Sequence, residues 1–254
     1  MNELSIKIPF LPKARVTSVI IDGRIPINIE NNLRGLGIDI IKVPICKEVY
    51  PSISSHADIL IHPIEGDIIV VAPNIYQYFK NILCNKGLKV FKGDSILSSN
   101  YPSNIAYNVG RVGKYAIHNL KYTDRVILSL LEQNEISLIH VKQGYAKCSI
   151  CVVNDHAIIT SDKGIARALE RKGIEALIIT PGNFSLPGLD YGFVGGASGL
   201  VDKDLMVFTG NLRWHPESKQ IINFLKKHQI EVFFLDDQMP LDVGSIIPIF
   251  EMAL

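Results

Sequence analysis

The sequence is poor in every feature that marks an easily recognised class of protein. Its 254 residues hold 4 cysteines, 1 tryptophan and no surplus of either charge, with 26 Lys and Arg against 25 Asp and Glu. A net charge of +1 leaves no basic excess for phosphate backbones or anionic lipid, so neither nucleic acid nor a membrane surface is an expected partner. Cys46, Cys84, Cys148 and Cys151 are too few and too scattered for a disulfide scaffold, and free thiols are expected. Met1–Lys7 lacks a basic stretch followed by an apolar one, and runs such as Ile68–Ala72 stop far short of a membrane span. A cytoplasmic protein is the expectation. What is present is apolar material, 47% of residues, enough for a compact core.

The positive signal is repetition: an apolar strand, a tight turn, a return strand, an amphipathic helix, then a third strand. The clearest copy has strands Ala146–Val153 and His156–Thr160 about an Asn154-Asp155 turn, a helix capped by Ser161 and stopped by Gly173, and strand Ala176–Ile179. Before it come Asn104–Val109, Lys114–His118, a Thr123-capped helix and Ser137–Val141. Earlier still are His56–His62, Ile68–Ala72, an Asn74-capped helix and Leu88–Phe91. After it come Phe193–Val201, Leu205–Phe208, a helix opening at Pro216 and Glu231–Leu235. The first unit, Thr17–Ile21, a helix after Pro26 and Ile38–Val43, lacks its first strand. Ser245–Phe250 at the other end of the chain supplies one, and pairing the two closes a ring of five.

This reading makes one α/β domain over 1–254, with units at about 15–50 plus 243–250, 54–94, 101–143, 144–182 and 190–240. Equivalent first-strand positions are placed at Asp58, Asn104, Lys147, Gly196 and Gly244. An open doubly wound sheet is the competing architecture. It places one strand before each helix, whereas two precede each helix here.

Five ββαβ units closed by the terminal strand resemble the pentein α/β-propeller, the fold of the guanidino-group-modifying enzymes and of a ribosome-binding translation initiation factor. Val141–Ser149, the hairpin and helix after it, and the stretch through Met239 follow the layout of the dimethylarginine dimethylaminohydrolases. Ser54–Asp58, Gly192–Gly199 and Asp242–Pro248 look like signature segments of an uncharacterised bacterial family of that fold. The resemblance implies a Cys nucleophile near the C-terminus, a His on the fourth unit's first strand and carboxylates holding a guanidinium. The nucleophile position falls at or beside Gly244, and no Cys follows Cys151. The His position falls at Ala146 or Lys147. An expected acid falls near Tyr101, and only Asp58 matches a functional position. Groups that act as a unit are lost as a unit, so thiol-dependent guanidine hydrolysis is not carried over.

The remaining candidates are weighed one by one. His56 and Asp58, two apart on a strand, project to one face and form the leading candidate pair, against a His packed at a turn. Lys147 is read as an anion anchor, an amine for covalent chemistry, an ion-pair partner of Asp58, or a solvated edge residue. Cys148 is read as a displaced nucleophile or a buried small hydrophobe, and Cys148-x-x-Cys151 on a strand faces two ways, which excludes a shared metal. Gly195–Gly199 lacks phosphate-loop spacing. Gly196 and Gly244 either open a central funnel or allow close packing. Arg213 and Trp214 either clamp a carboxylate or sit beside a helix start.

The expected site is thus a central pocket of His56, Asp58, Asn104, Lys147, Ser198, Asp242 and Ser245, with no metal and no cofactor. Asp58 is expected to hold a cationic nitrogen and Lys147 a carboxylate. The function expected is binding of a small polar ligand, guanidino- or amino-acid-like. The alternatives are a C–N hydrolase or amidinotransferase using Cys148, and a protein-interaction module like the translation factor; a protein partner stays open.

Overall fold

The computed structural model describes residues 3–253. Among them are five separate sheets, each built around the same motif: an antiparallel strand pair, which is a hairpin in four of the five, a helix, and a third strand parallel to its neighbour. The second sheet holds Ile61–Glu65, Ile68–Val71 and Lys89–Lys92, and the third Gly110–Val112, Tyr115–His118 and Ser137–His140. The fourth holds Cys151–Asn154, Ala157–Thr160 and Glu175–Ile178, and the fifth Ser198–Leu200, Leu205–Phe208 and Glu231–Phe234. In the first, Val16–Asp22 lies between Asp39–Val43 and the chain-terminal strand Ile247–Met252. Glu3–Ser5, not foreseen from the sequence, covers the outer edge of that terminal strand and leaves its backbone paired on both sides.

Each helix lays one apolar stripe on its own sheet. Ile127, Leu130 and Leu131 are buried from Arg125–Gln133, and Ile165, Ala166 and Leu169 from Lys163–Glu170. Three of the expected caps shift. Asp124 and Asp162 accept from the first free amides where Thr123 and Ser161 were expected, a carboxylate being the better partner for the positive helix end. Asn74 instead bridges across to the backbone of Leu97.

The larger correction is where the first strands begin. Ala57–Leu60 and Ala146–Ser149 are single helical turns, and Asn104–Val109 and Gly195–Ala197 lie outside any strand. An apolar run of four to eight residues is equally compatible with a helical turn and a strand start. Tertiary hydrogen bonding decides for the turn, because these segments meet at one place and must satisfy one another's backbone. Asp58 N–H donates to Gly244 O, the Asn108 amide to Asp58 O, Lys147 N–H to Asn108 O, Gly196 N–H to Cys148 O, and Ser245 N–H to Gly196 O. These links connect the five units in a cycle. In the third unit the linking residue is Asn108 and not Asn104, whose side chain faces Tyr145 and Ser99.

Between the sheets lie buried polar groups that tie one unit to the next. His118, fully buried, bonds Thr123 Oγ1 at 2.7 Å and Gly144 O at 2.8 Å, and Arg111 reaches the carbonyl of Ile64. Burial holds the His118 imidazole down at about 4, although its bond to Gly144 opposes the shift. A base whose folded value lies below its unfolded one stabilises fully above the unfolded value and loses that contribution as pH falls toward the folded one. Equilibrium denaturation between pH 7 and pH 4 is therefore expected to show a loss of about 3 kcal/mol attributable to this group. His118→Gln should flatten that part of the curve, and an unchanged slope would refute the assignment.

Candidate functional site

The turns that begin the units bring His56, Asp58, Lys147, Cys148, Asp242 and Ser245 together, all buried. Because Ala57–Leu60 is helical, His56 and Asp58 do not share a face as a strand would have required. They serve two adjoining clusters. Asp58 Oδ2 accepts from Ser245 Oγ at 2.6 Å and Cys148 Sγ at 3.1 Å, and Lys147 Nζ donates to the same Ser245 Oγ at 2.9 Å and to Gly195 O at 3.3 Å. The Phe10 ring closes the far side, 4.7 Å from the Lys147 ammonium. Lys147 is 4% exposed and spent on these partners, so its ammonium forms an internal bridge rather than the carboxylate anchor expected.

The second cluster is buried too, beneath the surface of a cleft. His56 lies 3.8 Å from Asp22 on one ring nitrogen and 3.8 Å from Asp242 on the other, near enough for charge interaction and too far for a hydrogen bond. Its Nδ1 has no hydrogen-bond partner among the described residues. Burial pulls the Asp22 carboxyl up, but bonds from Arg24 and Ser55 outweigh it and hold the group below its ordinary value. Asp242 goes the other way: burial raises it, and amides of Gly244 and Phe193 only partly compensate.

A cleft in two lobes opens above this cluster, with His56, Leu186 and Asp242 common to both. One lobe, about 330 Å³, runs along Asp22, Arg24 and Pro187. The other, about 240 Å³, is walled by Tyr50, Tyr145, Tyr191 and Phe193 and has Cys148 at its base. Gly196 and Gly244 do not hollow out the centre. A Cβ on Gly196 would meet the Asp242 carboxylate and one on Gly244 the His56 side chain, so each glycine is the space a site residue fills. Gly244 also sits at φ +65°, where a side chain is strained.

Two expected residues lie elsewhere. Asn104 stands behind the aromatic wall, accepting from the Tyr145 hydroxyl at 3.1 Å. Ser198 donates to Val194 O at 2.8 Å and borders a small void on the Phe10 side of Lys147. Arg213 and Trp214 line neither lobe; the indole N–H bonds Asp237 O. The sequence reading did not include Asp22, Arg24, Asn108 or the four aromatic residues. Asp22, a carboxylate ending an otherwise apolar strand, carried a usable signal. The aromatic residues did not, since their convergence depends on loops with no periodicity.

Cys148 is poorly suited to nucleophilic chemistry. Burial pushes its thiol well above the ordinary range, and the Asp58 and Asp242 carboxylates beside it push the same way. Cys151 points away, its Sγ 3.4 Å from Met206 Sδ, and all four cysteines are free.

The model of the Family of unknown function (DUF6873) matches residues 20–247. No curated protein matches the chain. Among solved structures, an inosamine-phosphate amidinotransferase from Streptomyces griseus superposes with a TM-score of 0.60 at 11% identity, covering 98% of each chain. An amidinotransferase of the saxitoxin biosynthetic pathway from Microseira wollei gives 0.57 at 12% identity, covering 93% of this chain and 96% of its own. DDAH from Pseudomonas aeruginosa, complexed with citrulline, gives 0.56 at 10% identity, covering 87% and 92%. The chain therefore shares the fold of these amidinotransferase and DDAH structures. No helix among the described residues is long and apolar enough to cross a membrane.

Two outcomes test the buried cluster. Iodoacetamide should label exposed Cys84 rapidly and leave Cys148 unlabelled until unfolding; fast labelling of native Cys148 would show a reactive thiol. Lys147→Met should lower stability in denaturant unfolding by removing the cation that reaches Asp58 through Ser245 Oγ. Adding Asp58→Asn should restore most of that loss, and a double variant no more stable than the single would refute the coupling.

Proposed function

The chain belongs to this uncharacterised family, and we propose that it is a binding protein whose two-lobed cleft takes a small organic cation, guanidino- or amino-acid-like. The five units are, in this reading, blades of a closed propeller around the buried cluster, which the cyclic backbone links between units support. The observation that carries the reading is the pairing of an acidic floor with an aromatic-walled lobe over His56 and Asp242. Negative charge at low dielectric draws a cation, and concave walls exclude the water that would screen it.

Binding takes precedence over turnover because the groups for thiol chemistry are replaced by structural ones. Gly244 and Ser245 occupy the region of the expected nucleophile, and Lys147 that of the expected base. Ser245 Oγ is engaged, donating to Asp58 and accepting from Lys147. The remaining thiol, Cys148, acts as a hydrogen-bond donor to Asp58 and would have to lose its proton beside two carboxylates to attack anything.

A thermal-shift panel of guanidino compounds, amines and amino acids tests the reading. A ligand at about 100 times its Kd should raise Tm by about 5–10 °C. Asp242→Asn should abolish the shift, with no ammonia, urea or amidine transfer detected for the wild type. A shift indifferent to Asp242→Asn, or turnover lost in Cys148→Ser, would overturn it.

A further inference from the structure

The floor and the walls of the cleft make different offers to a ligand. The Asp242 side chain is 1% exposed, His56 2% and Asp22 5%, so the carboxylates act through space and present almost no surface to touch. Their oxygens are also engaged: Asp242 by the amides of Gly244 and Phe193, and Asp22 by Arg24 and Ser55. The aromatic residues are the reverse. Tyr191 is 44% exposed, and Tyr50, Tyr145 and Phe193 are partly exposed. Their rings stand at angles to one another, with Tyr145 and Phe193 centroids 6.4 Å apart and tilted, and Tyr191 edge-on to Phe193 at 6.2 Å. All four rings line the same lobe. His56, whose Nδ1 is unpartnered, closes the bottom, and Asp190 adds a carboxylate at the rim.

A guanidinium or primary ammonium brings several N–H donors that must find acceptors when desolvated. A quaternary ammonium brings the same charge, no donors, and methyl groups that pack on aromatic faces. Resting on the cation-binding reading above, we propose that the aromatic lobe is a cage for a quaternary ammonium head group, such as that of choline or a betaine. Tyr50, Tyr145, Tyr191 and Phe193 would supply the contact, and the buried carboxylates the field. The lobe of about 240 Å³ accommodates such a head, and the neighbouring lobe along Asp22 and Arg24 receives the polar remainder of the molecule.

Isothermal titration with tetramethylammonium, choline and glycine betaine, against guanidinium, agmatine and arginine, tests this directly. At least one quaternary compound should bind about tenfold more tightly than the guanidino compounds. Tyr191→Phe keeps the ring and should retain that affinity, whereas Tyr191→Ala should lose about tenfold; Phe193→Leu, which keeps bulk without a π face, should lose a similar factor. Tighter binding of the guanidino compounds, or Tyr191→Ala and Phe193→Leu both binding choline as the wild type does, would overturn the cage and leave the cation site standing. No binding by any of the six would overturn both.

Discussion

Five buried segments of chain meet at one place in this molecule, and the amides and carbonyls they bring must find partners in one another. That constraint orders the rest. The segments arrive as helical turns or loops rather than strands because a turn aims its N–H groups sideways, into the carbonyl of the neighbouring unit. The cycle through Gly244, Asp58, Asn108, Lys147–Cys148 and Gly196 is the result. A buried lysine and a buried aspartate can be tolerated in the same place only because Ser245 bridges them and Gly195 takes the remaining bonds. The glycines follow from the same crowding, since His56 and Asp242 need the volume that Cβ atoms on Gly244 and Gly196 would fill.

The repeat was legible because it rests on periodicity, which is local: hairpins, helix stripes and third strands recur where apolar spacing puts them. The terminal strand's return to Val16–Asp22 was legible for a different reason, as a unit missing a strand and a strand missing a unit. The segments before each first strand were not. Ser54–Leu60 and Tyr145–Ile150 read as apolar runs with scattered polar residues, and their conformation is set by partners 39 to 187 residues away, as with Lys147 and Asn108 or Asp58 and Ser245. The site suffered in the same way. His56, Asp58, Lys147, Asp242 and Ser245, which the structure brings together, stand at repeat-equivalent places or in unusual sequence contexts. Tyr50, Tyr191 and Phe193 were missed because they ride on irregular loops.

Asn104 and Lys147 show why residue type and approximate position are insufficient. Four residues separate Asn104 from Asn108, yet one braces a tyrosine behind the wall while the other joins two units at the centre. Lys147 reaches the centre as expected, but its partners consume it. A cation already holding two oxygens and an aromatic ring has little left for a ligand's carboxylate.

The division of labour in the cleft follows from these facts. Where thiol-dependent chemistry would need a reactive thiol and carboxylates in contact with substrate, this chain holds its carboxylates beneath the surface, bonded to protein groups except at Asp58 Oδ1. A withdrawn carboxylate still sets a potential, because the low dielectric above it weakens screening, but it can no longer discriminate by hydrogen-bond geometry. Discrimination then falls to whatever surface remains accessible, and that surface is aromatic. In the proposed cage, charge would select the sign of the ligand and the ring faces its shape, two functions carried by residues from different parts of the chain.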